Sequence, residues 1–119
     1  MTYTLYHYPR CSTCVKAKKW LEANGVDFQA LNLAETPPNM ESLKEIHSSS
    51  GRPLKALFNT SGQSYRGGGF KELLSTMTEI EQFAALAADG MLIKRPILIT
   101  PSRSLIGFRE EEWRSTLKI

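Results

Sequence analysis

Two cysteines separated by two residues, Cys11 and Cys14, are the part of this sequence best suited to covalent chemistry. They are the only cysteines in the 119-residue chain, and they lie between a predicted strand and a predicted helix. Because residues at positions i and i+3 of a helix share one side, both sulfurs should point the same way. A thiolate at Cys11 could attack a substrate, and Cys14 could then attack the mixed disulfide that forms.

The nucleophile must be ionised, because the thiolate rather than the thiol attacks. A free cysteine is only about 3% thiolate at neutral pH, so the site must supply positive potential. The backbone N–H groups of Ser12 and Thr13 lack helical partners at the predicted helix start, and either side chain could cap it. Two cations are candidates: Arg10, which is adjacent in sequence, and Arg95, if the fold brings it close.

The cysteine pair has two other interpretations. Both thiols could be buried and inert, as free cysteines often are. They could also be half of a zinc site, which needs four ligands and could be completed only by His7 and His47. We expect His7 to lie at a strand end beside the thiol and His47 to be a partly exposed helix residue. No metal site is predicted.

Arg95 is followed by Pro96 at the head of a late apolar strand. A proline at such a position is either an ordinary strand start or a special turn. A cis peptide bond is uncommon and usually serves a purpose, and Pro96 is the candidate for one in this chain.

Composition favours a globular protein. The net charge of +3 is mild, and the basic residues are scattered, which argues against direct nucleic-acid binding. No apolar run is long enough to span a membrane, and the first residues do not resemble a secretory signal. We therefore expect a cytoplasmic location, a monomer and no tightly bound cofactor. In that reducing compartment the cysteine pair is more often redox-active than structural.

Periodicity and turn residues predict the order of the elements. Alternating residues predict a strand at 3–7, and a helix follows the cysteines and ends at Asn24-Gly25, with Cys14 among its inward-facing residues. The other predicted elements are a strand at 26–33, helices at 40–49, 70–74 and 79–88 with a flexible loop at 67–69, strands at 92–100 and 104–107, and a helix at 110–117.

This order predicts an α/β fold in one domain of 119 residues. The first two strands should be parallel, since a helix connects them as a crossover. Residues 36–90 form a helical insert between two halves of a mixed sheet, 1–35 and 91–119, and helices flank that sheet.

Four segments resemble the ArsC-like family, which includes glutaredoxin-linked arsenate reductases and Spx-type regulators. They are YPRCSTC at 8–14, LFNTSG at 57–62, LIKRPIL at 92–98 and GFREEEW at 107–113. The resemblance covers essentially the whole chain. It implies a thioredoxin-like fold with a helical insertion, with Cys11 as the catalytic cysteine and a cis Pro96 facing the cysteine pair.

The two branches of the family imply different activities. Arsenate reductases of this type hold the oxyanion with three arginines. Arg95 matches one, Asn59 stands where another is expected, and Arg109 is offset by one residue from the third. They usually lack a cysteine at position 14 and use glutathione and glutaredoxin. Spx-type regulators carry the Cys-x-x-Cys pair as a redox switch and bind the C-terminal domain of the RNA polymerase alpha subunit. Gly51 stands roughly where their polymerase-contacting glycine lies.

The sequence therefore predicts a thiol-disulfide reductase that acts on a disulfide or an oxyanion. Cys11 is its nucleophile, Cys14 its resolving thiol and Arg95 its thiolate stabiliser. The predicted anion-binding groups are Arg10, Ser12, Thr13 and Arg109. Its reductant would be a thioredoxin- or glutaredoxin-type protein or a small thiol such as glutathione. The alternatives are an Spx-type regulator that binds the polymerase alpha subunit and a true arsenate reductase.

Overall fold

The strands pair in an order that differs from their order in the chain. The computed structural model describes residues 3–119. Its sheet contains β1 (Tyr3–His7), β2 (Phe28–Asn32), β3 (Ile97–Ile99) and β4 (Ser104–Ile106) in the spatial order β2-β1-β3-β4. Strand β2 is parallel to β1, β3 is antiparallel to β1, and β4 is antiparallel to β3. The predicted mixed α/β sheet is confirmed.

Helices connect and flank these strands. They are α1 (Ser12–Ala23), α2 (Met40–Ser50), α3 (Gln63–Gly67), α4 (Phe70–Leu73), α5 (Glu79–Ala88) and α6 (Glu110–Leu117), with 3₁₀ turns at Leu54–Leu57, Leu74–Thr76 and Gly90–Leu92. Within residues 3–119, none of the helices combines the length and apolar character that crossing a bilayer would need.

Capping residues mark the ends of the longer insert helices. The side chain of Asn39 accepts a hydrogen bond from the N–H of Ser42 at 2.8 Å and so caps the start of α2. Gly51 ends that helix in the left-handed region, with φ of 68°. Helix α5 starts with a reciprocal capping box between Thr78 and Glu81. These caps explain why the sequence locates both helices well.

The sheet divides the core in two, because neighbouring residues of a strand point to opposite faces. One face carries Leu5, Leu98 and Leu105 and packs on α1 and α6 through Ala17, Leu21 and Trp113. The other carries Tyr6, Ile97 and Ile106 and packs on the insert through Leu43, Ile46, Leu57, Phe83 and Leu86, among others. The helical insert therefore covers one whole face of the sheet.

The strand expected at 92–100 is much shorter than predicted. Only Ile97–Ile99 pair as a strand, and Gly90–Leu92 form a 3₁₀ turn. The N–H of Lys94 donates to the carbonyl of Leu57 in the insert at 2.7 Å instead of to a sheet neighbour. Pro96 has no N–H to offer a ladder. Backbone hydrogen bonds before β3 therefore tie the sheet to the insert.

The short turns of the insert also differ from the prediction. The sequence did not indicate helical turns at Leu54–Leu57 and Gln63–Gly67, and Gly67 ends a helix instead of opening a loop. A single turn is too short to show a 3.6-residue periodicity. The predicted helix at 70–74 is α4 followed by a 3₁₀ turn, and β2 is shorter at each end than the predicted strand at 26–33.

Gly90 provides a test of the packing between the insert and the sheet. A Cβ built on Gly90 would lie 1.8 Å from the carbonyl oxygen of Leu33, so the backbone would have to move. We expect Gly90→Ala to lower the free energy of unfolding by about 2–4 kcal/mol in urea denaturation. Gly67→Ala is the control, because its Cβ would meet nothing within 4 Å. Equal stability of the two variants would contradict the close approach.

Candidate active site

The sheet topology brings three distant segments to one edge. Tyr6, near the end of β1, pairs with Ile97 at the start of β3, and Ile97 also pairs with Ile106 at the end of β4. The segment after β1, the segment before β3 and the segment after β4 therefore meet at this edge. They carry the cysteine pair, Arg95 and the residues from Gly107 to Arg109.

Cys11 is the residue that caps helix α1. Its backbone is extended, with φ of −89° and ψ of 118°, and its carbonyl accepts from the N–H of Val15 at 3.0 Å. No side chain caps the helix start, so the expected capping by Ser12 or Thr13 is wrong. Both lie exposed in the first turn, where their backbone N–H groups have no helical acceptor. The backbone N–H of Cys14, also in the first turn, helps to lower the pKa of Cys11.

Opposing effects act on the pKa of Cys11. Partial burial alone would raise it. The backbone N–H and the thiol of Cys14, together with the charge and hydrogen bond of the Arg95 guanidinium, lower the pKa of Cys11 by more than burial raises it. The net effect lowers the pKa below that of an ordinary thiol. Cys11 is half-buried and so remains within reach of a substrate.

Cys14 is the opposite kind of thiol. It is 1% exposed, and its sulfur accepts a hydrogen bond from the N–H of Tyr8 at 3.5 Å. Burial, together with the hydrogen bond and negative charge of Cys11, raises the pKa of Cys14 to about 12. Cys14 therefore stays protonated at neutral pH while its neighbour ionises more easily.

Arg95 is held in place from two sides. Its Nη1 donates to the carbonyl of Met91 at 3.3 Å, and its guanidinium carbon lies 5.4 Å from the centre of the Tyr8 ring. A guanidinium over an aromatic face is attracted by the ring's quadrupole. The Arg95–Pro96 peptide bond is cis. The Met91 and Tyr8 contacts restrain the side chain of Arg95, whose charge lowers the pKa of Cys11.

Gly107 links the other two segments of this edge. Its N–H donates to the carbonyl of Pro96 at 2.8 Å, and its own carbonyl accepts from the buried indole N–H of Trp113 at 3.0 Å. Its φ is +76°, which favours glycine. A Cβ there would lie 3.5 Å from the Cε of Lys94. Helix α6 is therefore connected to the cis-proline segment through Gly107.

A small cationic cavity lies beside Arg95. It measures about 180 Å³ and is lined by Arg52, Lys94, Arg95 and Arg109, with Thr13, Ala56, Ile106, Gly107 and Phe108 completing its wall. Of the predicted anion-binding residues, Arg109 and Thr13 line this cavity, whereas Ser12 and the exposed Arg10 do not.

The sequence patterns do not identify two of the cations in this cavity, Arg52 and Lys94. Arg52 follows Gly51, which ends α2, and Lys94 precedes Arg95. A charged residue after a helix-ending glycine is usually a solvated loop residue, so the sequence carries no strong signal for Arg52.

The histidines do not complete a metal site with the cysteines. Within residues 3–119, no group of three or more histidine, cysteine or acidic residues is arranged to hold a metal ion. His47 packs on Phe83 with ring centres 5.8 Å apart. Burial and, secondarily, the charge of Lys18 lower the pKa of His7.

Known structures share this architecture. An ArsC family related protein from Bacteroides fragilis is 43% identical, with a TM-score of 0.93, and the match covers 97% of each chain. A possible arsenate reductase from Streptococcus mutans is 41% identical, with a TM-score of 0.86 over 94% of this chain and 97% of that one. A glutaredoxin from Archaeoglobus fulgidus shares the fold at 14% identity, with a TM-score of 0.52 over 99% of this chain and 87% of that one. The fold is thioredoxin-like.

Related sequences identify the family. The ArsC family model matches residues 6–116. YusI of Bacillus subtilis is 48% identical over 95% of this chain and 96% of its own length. The global transcriptional regulator Spx of Lactiplantibacillus plantarum is 31% identical over 95% of this chain and 84% of its own. The chain belongs to the ArsC family, as its motifs predict.

Alkylation kinetics test the role of Arg95. Removing its charge in Arg95→Gln raises the pKa of Cys11, because one of the effects that lower it is lost. We expect iodoacetamide to modify Cys11 roughly threefold to tenfold more slowly at pH 7 in this variant, with the pH midpoint moved upward.

The matched control for this experiment is Arg114→Gln. That arginine pairs with Glu110 on helix α6 and does not contact the cysteines. The control should alkylate at the wild-type rate. Equal rates in Arg95→Gln and wild type would remove Arg95 from the thiolate site.

Proposed function

We propose that the protein is a thiol-disulfide reductase in which Cys11 is the nucleophile and Cys14 the resolving thiol. The supporting observation is the opposite displacement of the two pKa values at one helix start, lowered for Cys11 and raised to about 12 for Cys14. A half-exposed thiolate is suited to attack a substrate, and a buried thiol is suited to stay protonated until the mixed disulfide has formed. Membership in the ArsC family, with its reductase neighbours, agrees with this chemistry.

The reaction balances in two exchanges. The Cys11 thiolate attacks one sulfur of a substrate disulfide, forms a Cys11–substrate disulfide and releases the other half of the substrate as a thiolate. Cys14 then loses its proton to solvent and attacks the Cys11 sulfur. This step forms the Cys11–Cys14 disulfide and releases the second half as a thiolate. The substrate gains two electrons, and the cysteine pair loses two.

The site also accounts for the order of these steps. The charge of the Cys11 thiolate is one of the causes that raise the pKa of Cys14. Once Cys11 is bonded to substrate sulfur, it no longer carries that charge. Cys14 then ionises more easily than in the resting protein, so the resolving step follows the first attack. Arg95 lies close enough to act on both sulfurs, since its charge lowers the pKa of each.

Reduction of the Cys11–Cys14 disulfide completes the cycle. A thioredoxin- or glutaredoxin-type dithiol, or a small thiol such as glutathione, would supply the two electrons by the same exchange chemistry. The proposal requires a reducing compartment such as the cytoplasm, because the resting pair must be reduced for Cys11 to act.

Arsenate reduction receives less support. Asn59, at the position where the arsenate reductases carry an arginine, lines a different cavity of about 340 Å³ with Ser61, Gly62, Gln63, Ser64, Met91 and Arg95. Arg95 is the one cation among those lining residues. An arsenate ion held at Asn59 would therefore lack one of the three arginines, even though Arg95 and Arg109 also line the cationic cavity.

A redox-controlled regulator is the second candidate. Spx of Lactiplantibacillus plantarum is similar over 95% of this chain, and Gly51 is exposed at the end of α2. A pull-down with the isolated C-terminal domain of the RNA polymerase alpha subunit tests it. Retention that depends on oxidation of the protein would favour the regulator, and turnover of a disulfide without retention would favour the reductase.

Trapping with Cys14→Ser tests the proposed mechanism. Without the resolving thiol, the Cys11–substrate disulfide should persist, and intact-mass spectrometry should show one substrate half added per chain. Wild type should show the internal disulfide instead, two mass units lighter than the reduced protein, because two hydrogens are lost. Turnover should fall to background in Cys11→Ser with any reductant, whereas Cys14→Ser can turn over only if an external thiol replaces the resolving cysteine.

Cys11→Ser provides the control for trapping, because its remaining thiol is only 1% exposed and out of reach of a substrate. It should form no adduct at pH 7. An adduct of equal yield in Cys11→Ser, or none in Cys14→Ser, would contradict the assigned roles.

A further inference from the structure

The cationic cavity beside Arg95 has a charge pattern that the exchange chemistry does not require. Arg52, Lys94, Arg95 and Arg109 line it, and no acidic side chain of the described residues does so. Like charges that converge on one cavity repel one another, and the repulsion is weakly screened where side chains are partly buried. An anion in the cavity would relieve that repulsion.

Arg52 is the most informative of these cations. Its Nη1 is buried and has no hydrogen-bond partner among residues 3–119. Leaving a buried charged donor unpaired is costly. Arg95 shows the same feature at its buried Nε. Both side chains line the cavity, so the charge of an anion bound there would offset part of this cost.

The fold fixes Arg52 in this position. Gly51 turns the chain at the end of α2, and the backbone N–H of Arg52 donates to Ser50 Oγ at 3.1 Å. The following 3₁₀ turn supplies Ala56 to the cavity wall, and its Leu57 carbonyl accepts from the N–H of Lys94 at 2.7 Å. The helical insert and the segment before β3 thus hold their cations against the same cavity.

The cavity is joined to the reactive sulfur by shared residues. Arg95 lines it and also lowers the pKa of Cys11. Thr13, from the first turn of α1, is part of its wall. A volume of about 180 Å³ is smaller than a site for a whole drug-sized ligand, which occupies roughly 300–1,000 Å³. It suits one charged end of a longer molecule.

We infer that this cavity binds a carboxylate of the disulfide substrate, so that the protein selects acidic disulfides over neutral ones. This inference rests on the proposed function. Arg52 and Lys94 are specificity-determining residues in this account, and Arg109 assists them. Planar guanidinium groups match the geometry of a carboxylate. The carboxylate end docks beside Arg52 while the disulfide lies against Cys11, and the exchange chemistry itself is unchanged.

Single-turnover kinetics with matched disulfides test this selectivity. The probes are dithiodipropionate and dithiodibutyrate, each compared with a disulfide of the same length that ends in hydroxyl groups. Rate constants for oxidation of the reduced full-length protein are measured by stopped flow at fixed ionic strength. The ratio of the acidic to the neutral rate constant is compared between variants, which cancels the intrinsic reactivity of each probe.

We expect Arg52→Gln and Lys94→Gln each to lower this ratio roughly fivefold, and Arg52→Lys to restore part of it. Lys94 is exposed, so Lys94→Gln keeps the test valid if Arg52→Gln is unstable. Lys71→Gln removes the same charge from helix α4, away from the cavity, and should leave the ratio unchanged.

The outcomes separate the inference from the proposed function. If wild type reacts with the acidic and the neutral disulfides and all variants show the same ratio, the carboxylate site is wrong and the reductase proposal stands. If wild type reacts with none of these disulfides, acidic or neutral, the proposed function itself fails. A ratio that falls equally in Lys71→Gln would show only general attraction to positive charge and would overturn the site.

Discussion

The attraction between the Arg95 guanidinium and the Cys11 thiolate is the interaction on which the rest of the site depends. Burial opposes ionisation of Cys11, and the donors of Cys14 and Arg95 overcome it. Arg95 can do so because the Met91 carbonyl and the Tyr8 ring hold it beside the cysteines. Strand β3 runs opposite to β1, so the residue before β3 and the residues after β1 meet at the same sheet edge. The sheet topology thus places the charge of Arg95 beside Cys11.

The helical insert has two physical roles. Its apolar residues cover one face of the sheet, so the core would be half exposed without it. Its 3₁₀ turn also bonds to the segment before β3 through the Leu57 carbonyl and the Lys94 N–H. Arg52, just before that turn, and Ala56 within it both line the cationic cavity beside Arg95. Packing and substrate recognition therefore share one set of backbone contacts in this account.

Local chemistry made part of this structure predictable. The spacing of Cys11 and Cys14, the strand before them and the helix after them follow from short-range patterns, and so do the caps of the longer insert helices. The mixed sheet also follows, because a strand–helix–strand order implies a parallel pair. The cavity was not predictable, since Arg52 and Lys94 are distant in sequence and a long-range backbone bond, from Lys94 to Leu57, joins their segments. The predicted length of β3 was wrong for the same reason, because Lys94, before the strand, bonds to Leu57 in the insert.

The central claim is that one edge of the sheet makes two adjacent thiols chemically unequal. Titration of thiolate absorbance in the reduced wild-type protein tests it most directly, with Cys11→Ser and Cys14→Ser used to assign each step. The account predicts one thiolate per chain ionising below the ordinary range of a thiol and a second only near pH 12, with the early step absent from Cys11→Ser. Two thiols that ionise together in the ordinary range, or an early step that survives in Cys11→Ser, would contradict it.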